Sequence, residues 1–190
     1  MTEDHGPQLD ARNIVLVGPM GVGKSAVARV LASWLGRQAV DTDDLIVRAT
    51  GKSIAEVFAA DGESTFRALE SDAIQAVCER EELLVSVGGG AVTDPRNVMR
   101  LRATSHVVHL DGEPAVLARR VEHGRRTGSR PLLDGDEDVE VVLARLREER
   151  AEAYASAAHC RVDVGDRAIE AVAAEVLRAL EDRVAAQDQP

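Results

Sequence analysis

The chain has 190 residues, 45% of them apolar but only 2% aromatic, and a formal charge of −10 from 33 acidic and 23 basic side chains. That length suits one domain, or one domain with a lid, and the core must be built from Val, Leu, Ile and Ala. A broad nucleic-acid surface does not fit such acidity, so local basic clusters become informative. Cys78 and Cys160 are too few and too far apart for a disulfide framework or a zinc site, which fits a reduced cytoplasm. Residues 1–10 lack the basic and apolar regions of a signal peptide, and no apolar run approaches membrane-spanning length.

Residues 1–11 read as a disordered leader. The run Ile14-Val15-Leu16-Val17 predicts a first strand over 13–18, buried on both faces. Gly18-Pro19-Met20-Gly21-Val22-Gly23-Lys24-Ser25 follows and opens a helical pattern over 23–35. Strand, glycine loop, Lys-Ser and helix form the context of a phosphate loop. Backbone N–H groups around Gly21, Val22 and Gly23 can close on a phosphate, and the helix aims its positive end at the same anion. Lys24 reaches the β- and γ-phosphates of a nucleotide, and the Ser25 hydroxyl can ligate Mg²⁺.

A short second strand at Gln38-Ala39-Val40 ends in Asp41-Thr42-Asp43-Asp44. A helix follows, closed by Gly51. Another opens at Ser53 as N-cap, with Glu56 in the capping-box position, and stops near Asp61-Gly62. A longer helix covers about 63–80. The third strand, 83–87, runs straight into Gly88-Gly89-Gly90. Asp94 and Pro95 begin the next helix, 106–110 is the fourth strand, and Pro114 opens a helix through Val121. The loop 123–131 is basic, 136–158 is a long charged helix, 160–164 a last strand and 168–185 a closing helix, with 186–190 a frayed tail. Alternating strands and helices imply a parallel sheet covered on both faces. The helical stretch 43–80 is long enough for a small substrate-binding subdomain.

Asp41 and Asp43 stand just past a strand end, where ligands of open α/β sheets bind. One carboxylate can hold Mg²⁺ through water and the other can accept a hydroxyl proton; equally, the run can be a helix N-cap, for which Asp44 is the best placed. Arg67 suits a carboxylate by its fork geometry, or is one more charge on a solvated helix face. Gly88-Gly89-Gly90 lets backbone approach a ligand closely, or is a mobile turn. In the basic loop, Arg130 is the best lid arginine because Pro131 restricts it; Arg119 and Arg120 read as a helix face and Arg150 as a surface ion pair.

Taken together, Gly-x-x-Gly-x-Gly-Lys-Ser, Asp41-Thr42-Asp43, the run Thr50 to Phe58, Asp61-Gly62-Glu63 with Phe66-Arg67 and Glu70, Gly88-Gly89-Gly90-Ala91-Val92 and Arg130-Pro131-Leu132-Leu133 resemble shikimate kinase over roughly residues 12–182. The resemblance implies a P-loop kinase fold related to nucleoside monophosphate kinases, a five-stranded parallel sheet of order 2-3-1-4-5 with a lid over 121–135. It implies ATP and Mg²⁺, shikimate as the small-molecule partner, and phosphorylation of its 3-hydroxyl within aromatic amino-acid biosynthesis. A cytoplasmic monomer is expected, with no nucleic-acid or membrane partner. Asp43 would bind the reacting hydroxyl. Arg67 and Arg150 would clamp the substrate carboxylate, Gly88, Gly89 and Gly90 would line the ring, and Phe58 and Phe66 would wall the pocket. Asp41 would hold Mg²⁺ through water beside Ser25. Lys24 and Arg130 would neutralise the phosphates, and Arg120 and Arg167 would border the adenine.

Three positions depart from the family pattern. Ala26 stands where a Ser or Thr usually follows Lys-Ser, the lid is a few residues longer, and Glu152 stands where Pro usually precedes the Tyr. The rival readings are a kinase for a related cyclitol or sugar acid such as gluconate, and a nucleotide-binding protein that has lost catalysis.

Overall fold

The computed structural model describes residues 9–124 and 137–187. Five strands form one parallel sheet: β1 (Asn13–Val17), β2 (Gln38–Asp41), β3 (Leu83–Ser86), β4 (Ser105–Asp111) and β5 (Cys160–Asp163). Their order is β2-β3-β1-β4-β5, as the resemblance implied. The central strand explains the arrangement. All five residues of β1 are buried, so it must be flanked on both edges and covered on both faces. β3 pairs with it through Ile14–Leu84 to Leu16–Ser86, and β4 through Asn13–Ser105 to Val17–His109.

Side-chain alternation along β1 sorts the core into two layers. Ile14 and Leu16 face α1 (Lys24–Leu35) and α7 (Ile169–Gln187), packing with Leu31, Val172, Val176 and Leu180. Val15 and Val17 face α3 (Ile54–Cys78), α4 (Pro95–Thr104) and α6 (Val139–Ala157), packing with Ile74, Val77, Leu101 and Tyr154. α2 (Thr42–Thr50) and both segments of α3 share a small third cluster of Ile46, Val57, Phe66 and Ala73. α5 (Pro114–Gly124) closes over the first layer through Leu117 and Val121.

Several local readings hold. Ser53 and Glu56 form a complete capping box, and Asp94 with Pro95 starts α4. The break expected at Asp61-Gly62 is a kink at Gly62, φ +80°, so 54–78 is two helical segments joined end to end. Another differs. Asp44 is not the cap of α2; Asp41 is, accepting the Asp43 N–H at 3.0 Å while it ends β2. The strand hands directly to the helix, which leaves Asp44 in the first turn. Buried Asn13 ties layers together: its side-chain amide donates to the Val77 and Arg80 carbonyls, and its oxygen accepts from Leu83 N–H at 2.9 Å. No polar atom of that amide is wasted, as burial demands.

Of the segment read as a leader, residues 1–8 lie outside the described residues, while Leu9 packs against the core and Asp10 bonds His106 at 2.9 Å. Of the segment read as a lid, Val121 is a core residue of α5, and residues 125–136, with Arg125, Arg126, Arg130 and Pro131, lie outside the described residues. α7 runs through Gln187 into the segment read as a tail. Cys78 and Cys160 are free thiols, and among the described residues no helix is long and apolar enough to cross a membrane.

Candidate functional site

The chain reverses direction across the sheet beside β1, because β2 lies beyond β3 on one side and β4 begins the other. The C-terminal ends of β1, β2 and β3 therefore converge on one crevice. It is a cleft of about 520 Å³, and the residues lining it include Gly21, Gly23, Lys24, Ser25 and Ala26 at one end and Asp43, Phe58, Phe66, Arg67 and Arg150 at the other.

The phosphate end is made by backbone. Gly18 has φ +142°, and a Cβ there would collide with the Leu110 carbonyl oxygen of β4. Gly23 caps α1 in the left-handed region, with no side chain bonding the first-turn N–H groups. The positive end of the helix dipole at this turn favours an anion there. Val22 is buried in the core and contributes only its main chain to the loop. Lys24 Nζ donates to Gly18 O at 2.8 Å and Pro19 O at 3.1 Å, which arches its side chain back over the loop.

Beside it lies an oxygen cluster. Ser25 Oγ donates to Asp41 Oδ2 at 2.6 Å and sits 3.1 Å from Ser86 Oγ. Hydroxyl and carboxylate are the hard donors that Mg²⁺ takes, and one carboxylate with room for waters matches its habit. The residues present therefore fit that metal. Ser86 went unnoticed in the sequence; its position as the last residue of β3, beside β1, is the signal that marks it.

The substrate end is made by side chains. Asp43, in the first turn of α2, is half-buried, and its buried Oδ1 has no hydrogen-bond partner among the described residues. Burial pushes its pKa up to about 6, the charges of Asp41 and Glu70 add to this, and Lys24 opposes. Arg67 donates to Glu70 at 2.8 Å and to Glu63 at 3.0 Å, both on its own helix, and its side chain lines the cleft. Glu70 is 1% exposed, and burial raises its pKa against the pull of Arg67. A Cβ on Gly88 would lie 2.5 Å from Glu70 Oε1 and 3.2 Å from Asp43 Oδ1, so both carboxylates crowd that glycine. Glu70 entered the sequence reading only within the motif; its place three residues after Arg67 on one helix predicts the pair.

Phe58 and Phe66 pack with ring centroids 4.5 Å apart and planes tilted by 35°, and the Arg67 guanidinium carbon lies 5.4 Å from the Phe66 centroid. Arg150 lines the cleft from α6, against the expectation of a surface ion pair from its neighbours alone. Glu152 is exposed, and α6 continues unbroken past it, so the missing Pro does not divert Arg150. Arg120 also lines the cleft, its Nη2 donating to Gly165 O at 2.8 Å and its Nη1 buried. It accepts no help from the Arg167 side chain; only the Arg167 carbonyl meets it, at 3.3 Å, and Arg167 itself turns toward Glu175.

The arrangement pairs a phosphate cradle with an acid-and-arginine pocket in one cleft. The family model for shikimate kinase matches residues 20–181. A shikimate kinase of Symbiobacterium thermophilum is 41% identical over 90% of this chain and 97% of its own length, and one of Geobacter metallireducens is 43% identical over 90% and 93%. The solved structure of an Acinetobacter baumannii shikimate kinase in complex with shikimate superposes with a TM-score of 0.85 at 33% identity, covering 90% of this chain and 94% of that one. Fold, loop and pocket agree with matches that span both proteins almost end to end, and the chain belongs to the shikimate kinase family.

Proposed function

We propose that this chain transfers the γ-phosphoryl group of ATP to the 3-hydroxyl of shikimate, with Mg²⁺. One observation supports the division of labour: Lys24, Asp43, Arg67 and Arg150 all line a single cleft. Arg67 and Arg150 receive the substrate carboxylate, for which guanidinium forks are suited. Phe58 and Phe66 wall the ring, and Gly88 to Gly90 let it lie against main chain. Asp43 accepts the hydrogen bond of the attacking hydroxyl and, being held at a raised pKa, is able to take its proton as the O–P bond forms. The bond from the γ-phosphorus to the bridging oxygen breaks, and ADP leaves. Ser25 and Asp41 would hold Mg²⁺, Asp41 through water, and the ion would supply charge neutralisation to the phosphates. Lys24 supplies a fixed positive charge to the same oxygens. Such transfer depends more on positioning than on a strong base. Arg120 borders the nucleotide.

An ADP-release assay tests the reading. Shikimate should give turnover well above the ATPase background, and gluconate and other cyclitol acids should not. Turnover with one of those acids but not with shikimate would assign the protein to the rival substrate class. Nucleotide binding without turnover on any of them would leave a silent binding protein.

A further inference from the structure

The Gly88–Gly90 turn has its carbonyls accounted for. Gly88 O accepts from Ala91 N–H at 3.1 Å, and Gly90 O accepts from Thr93 N–H and Oγ1 at 3.0 and 2.7 Å. Gly89 O accepts from the Tyr154 hydroxyl at 2.6 Å. Gly88 N–H donates to Thr42 Oγ1 at 3.2 Å. Among the described residues, the N–H groups of Gly89 and Gly90 meet no acceptor.

Tyr154 is the chain's one tyrosine and is 1% exposed. Its ring stacks on His109 at 4.8 Å between centroids, and it approaches the turn from the buried layer of Val15, Val17 and Val87. A buried phenol needs partners for its hydroxyl: it donates to Gly89 O, and the Arg150 side chain bonds to it as well. The Gly89 carbonyl and the Gly90 N–H belong to one planar trans peptide and point in opposite directions. A hydroxyl that holds the oxygen toward the core therefore turns the Gly90 N–H toward the cleft. Gly90 also lies against Arg67: a Cβ there would be 2.5 Å from Arg67 Nη1. Flanked by glycine on both sides, this peptide has no Cβ to stop it from rotating. Arg150, one helical turn before Tyr154, completes the local set, with Nη1 3.5 Å from the position of a Gly89 Cβ.

We infer that Tyr154 is a positioning residue for the substrate: its hydroxyl orients the Gly89–Gly90 peptide so that the Gly90 N–H faces the cleft beside Arg67 as a donor to substrate oxygen. Without it, the peptide is free to present a carbonyl to the same oxygens, and recognition weakens. This rests on the acceptor assignment proposed above.

The test is Tyr154→Phe in the full chain, which keeps the ring and removes only the hydroxyl. The shikimate KM should rise about tenfold, in line with loss of a buried hydrogen bond, while kcat and the ATP KM stay within about twofold. In the nucleotide-free protein, the Gly90 amide resonance should shift or broaden, and those of Gly21 and Gly23 should not. An unchanged shikimate KM overturns the inference, whether or not the resonance moves. A raised KM with an unmoved Gly90 resonance overturns the peptide route. A loss spread equally over kcat and both KM values, with a large fall in Tm, makes the residue merely structural and also overturns it. If wild-type protein fails to turn over shikimate, the substrate reading falls and takes this role with it, while the resonance still decides whether Tyr154 sets the peptide.

Discussion

The two ends of the cleft are built by opposite means. The phosphate end comes from one contiguous stretch, 18–26, and works through main chain, helix dipole and a single lysine. The substrate end gathers side chains from α2, α3 and α6 around the turn after β3, spread from Asp43 to Arg150. Backbone donors are indifferent to what the phosphate is attached to. Specificity must then come from the other end, and it carries an electrostatic cost: the half-buried Asp43 and the buried Glu70 are both carboxyls raised by their surroundings.

Lys24→Ala should break the phosphate end most severely. It removes a fixed charge that stabilises the transferring group, so kcat should fall by about 10³-fold or more, with the shikimate KM nearly unchanged. Steady-state kinetics with both substrates varied would show it; an equal rise in the shikimate KM would erase the distinction between the two ends.

The next largest effect separates backbone from side chain directly. Gly18→Ala forces a Cβ into a main-chain carbonyl at a backbone angle that L-residues avoid. It should cost about 3 kcal/mol, a fall in Tm of roughly 10 °C. Gly88→Ala meets only the ends of two side chains, which can swing aside, so thermal unfolding should show a much smaller fall while the shikimate KM rises. Similar Tm losses in both would mean the substrate end is as rigid as the loop.

Arg67→Ala should raise the shikimate KM by about 10²-fold, as expected for loss of a charged hydrogen-bonding pair, and leave ATP binding intact. It also strands the buried Glu70, so Tm should fall as well. Arg67→Lys keeps the charge but not the fork and should recover only part of the KM, which fluorescence or kinetic titration would measure.

Much of this contrast was legible in the sequence, and unequally so. The phosphate loop could be read because its parts are adjacent: strand, glycines, Lys24 and helix lie within one window. Gly88-Gly89-Gly90 was visible for the same reason. The kink at Gly62 and the capping box of α3 follow from local chemistry. Ser86, Thr42 and Tyr154 were not legible, since their roles lie in partners 61, 46 and 65 residues away: Ser25, Gly88 and Gly89. Arg67 and Arg150 look like surface charges from their neighbours alone; the family resemblance assigns them to the pocket, and both line the cleft. The strand order came from resemblance to a family, because alternation alone gives parallel strands but not their sequence across the sheet. Asp41 as cap of α2, in place of Asp44, depended on where β2 ended, which periodicity fixes only to within a residue or two.

The cost carried by the substrate end can be measured by pH in metal-free, nucleotide-free protein. Asp43 has a folded pKa of about 6, raised chiefly by burial, against an ordinary value of 3.8. Between those values the folded state binds more protons than the unfolded state, so this group's contribution to stability falls as pH rises. The penalty is absent below about pH 4 and complete above about pH 6. Asp43→Asn should therefore melt about 5 °C above wild type at pH 7, and the gap should close by pH 4. A gap independent of pH would place the cost in packing rather than in charge.

The smallest effect belongs to Ala26, the one atypical residue within the loop. Its methyl group lines the cleft at the phosphate end, where a hydroxyl would add one donor to a phosphate oxygen already met by main chain. If the loop main chain and Lys24 supply most of the phosphate contacts, as proposed, Ala26→Ser should lower the ATP KM by only about twofold to threefold, the low end of a single exposed hydrogen bond. It should leave the shikimate KM untouched. An isothermal titration with ATP, run beside shikimate titrations on the same protein, would read both. A gain of tenfold or more would show that backbone alone does not suffice for the phosphates, and the division between a main-chain end and a side-chain end would have to be redrawn at residue 26.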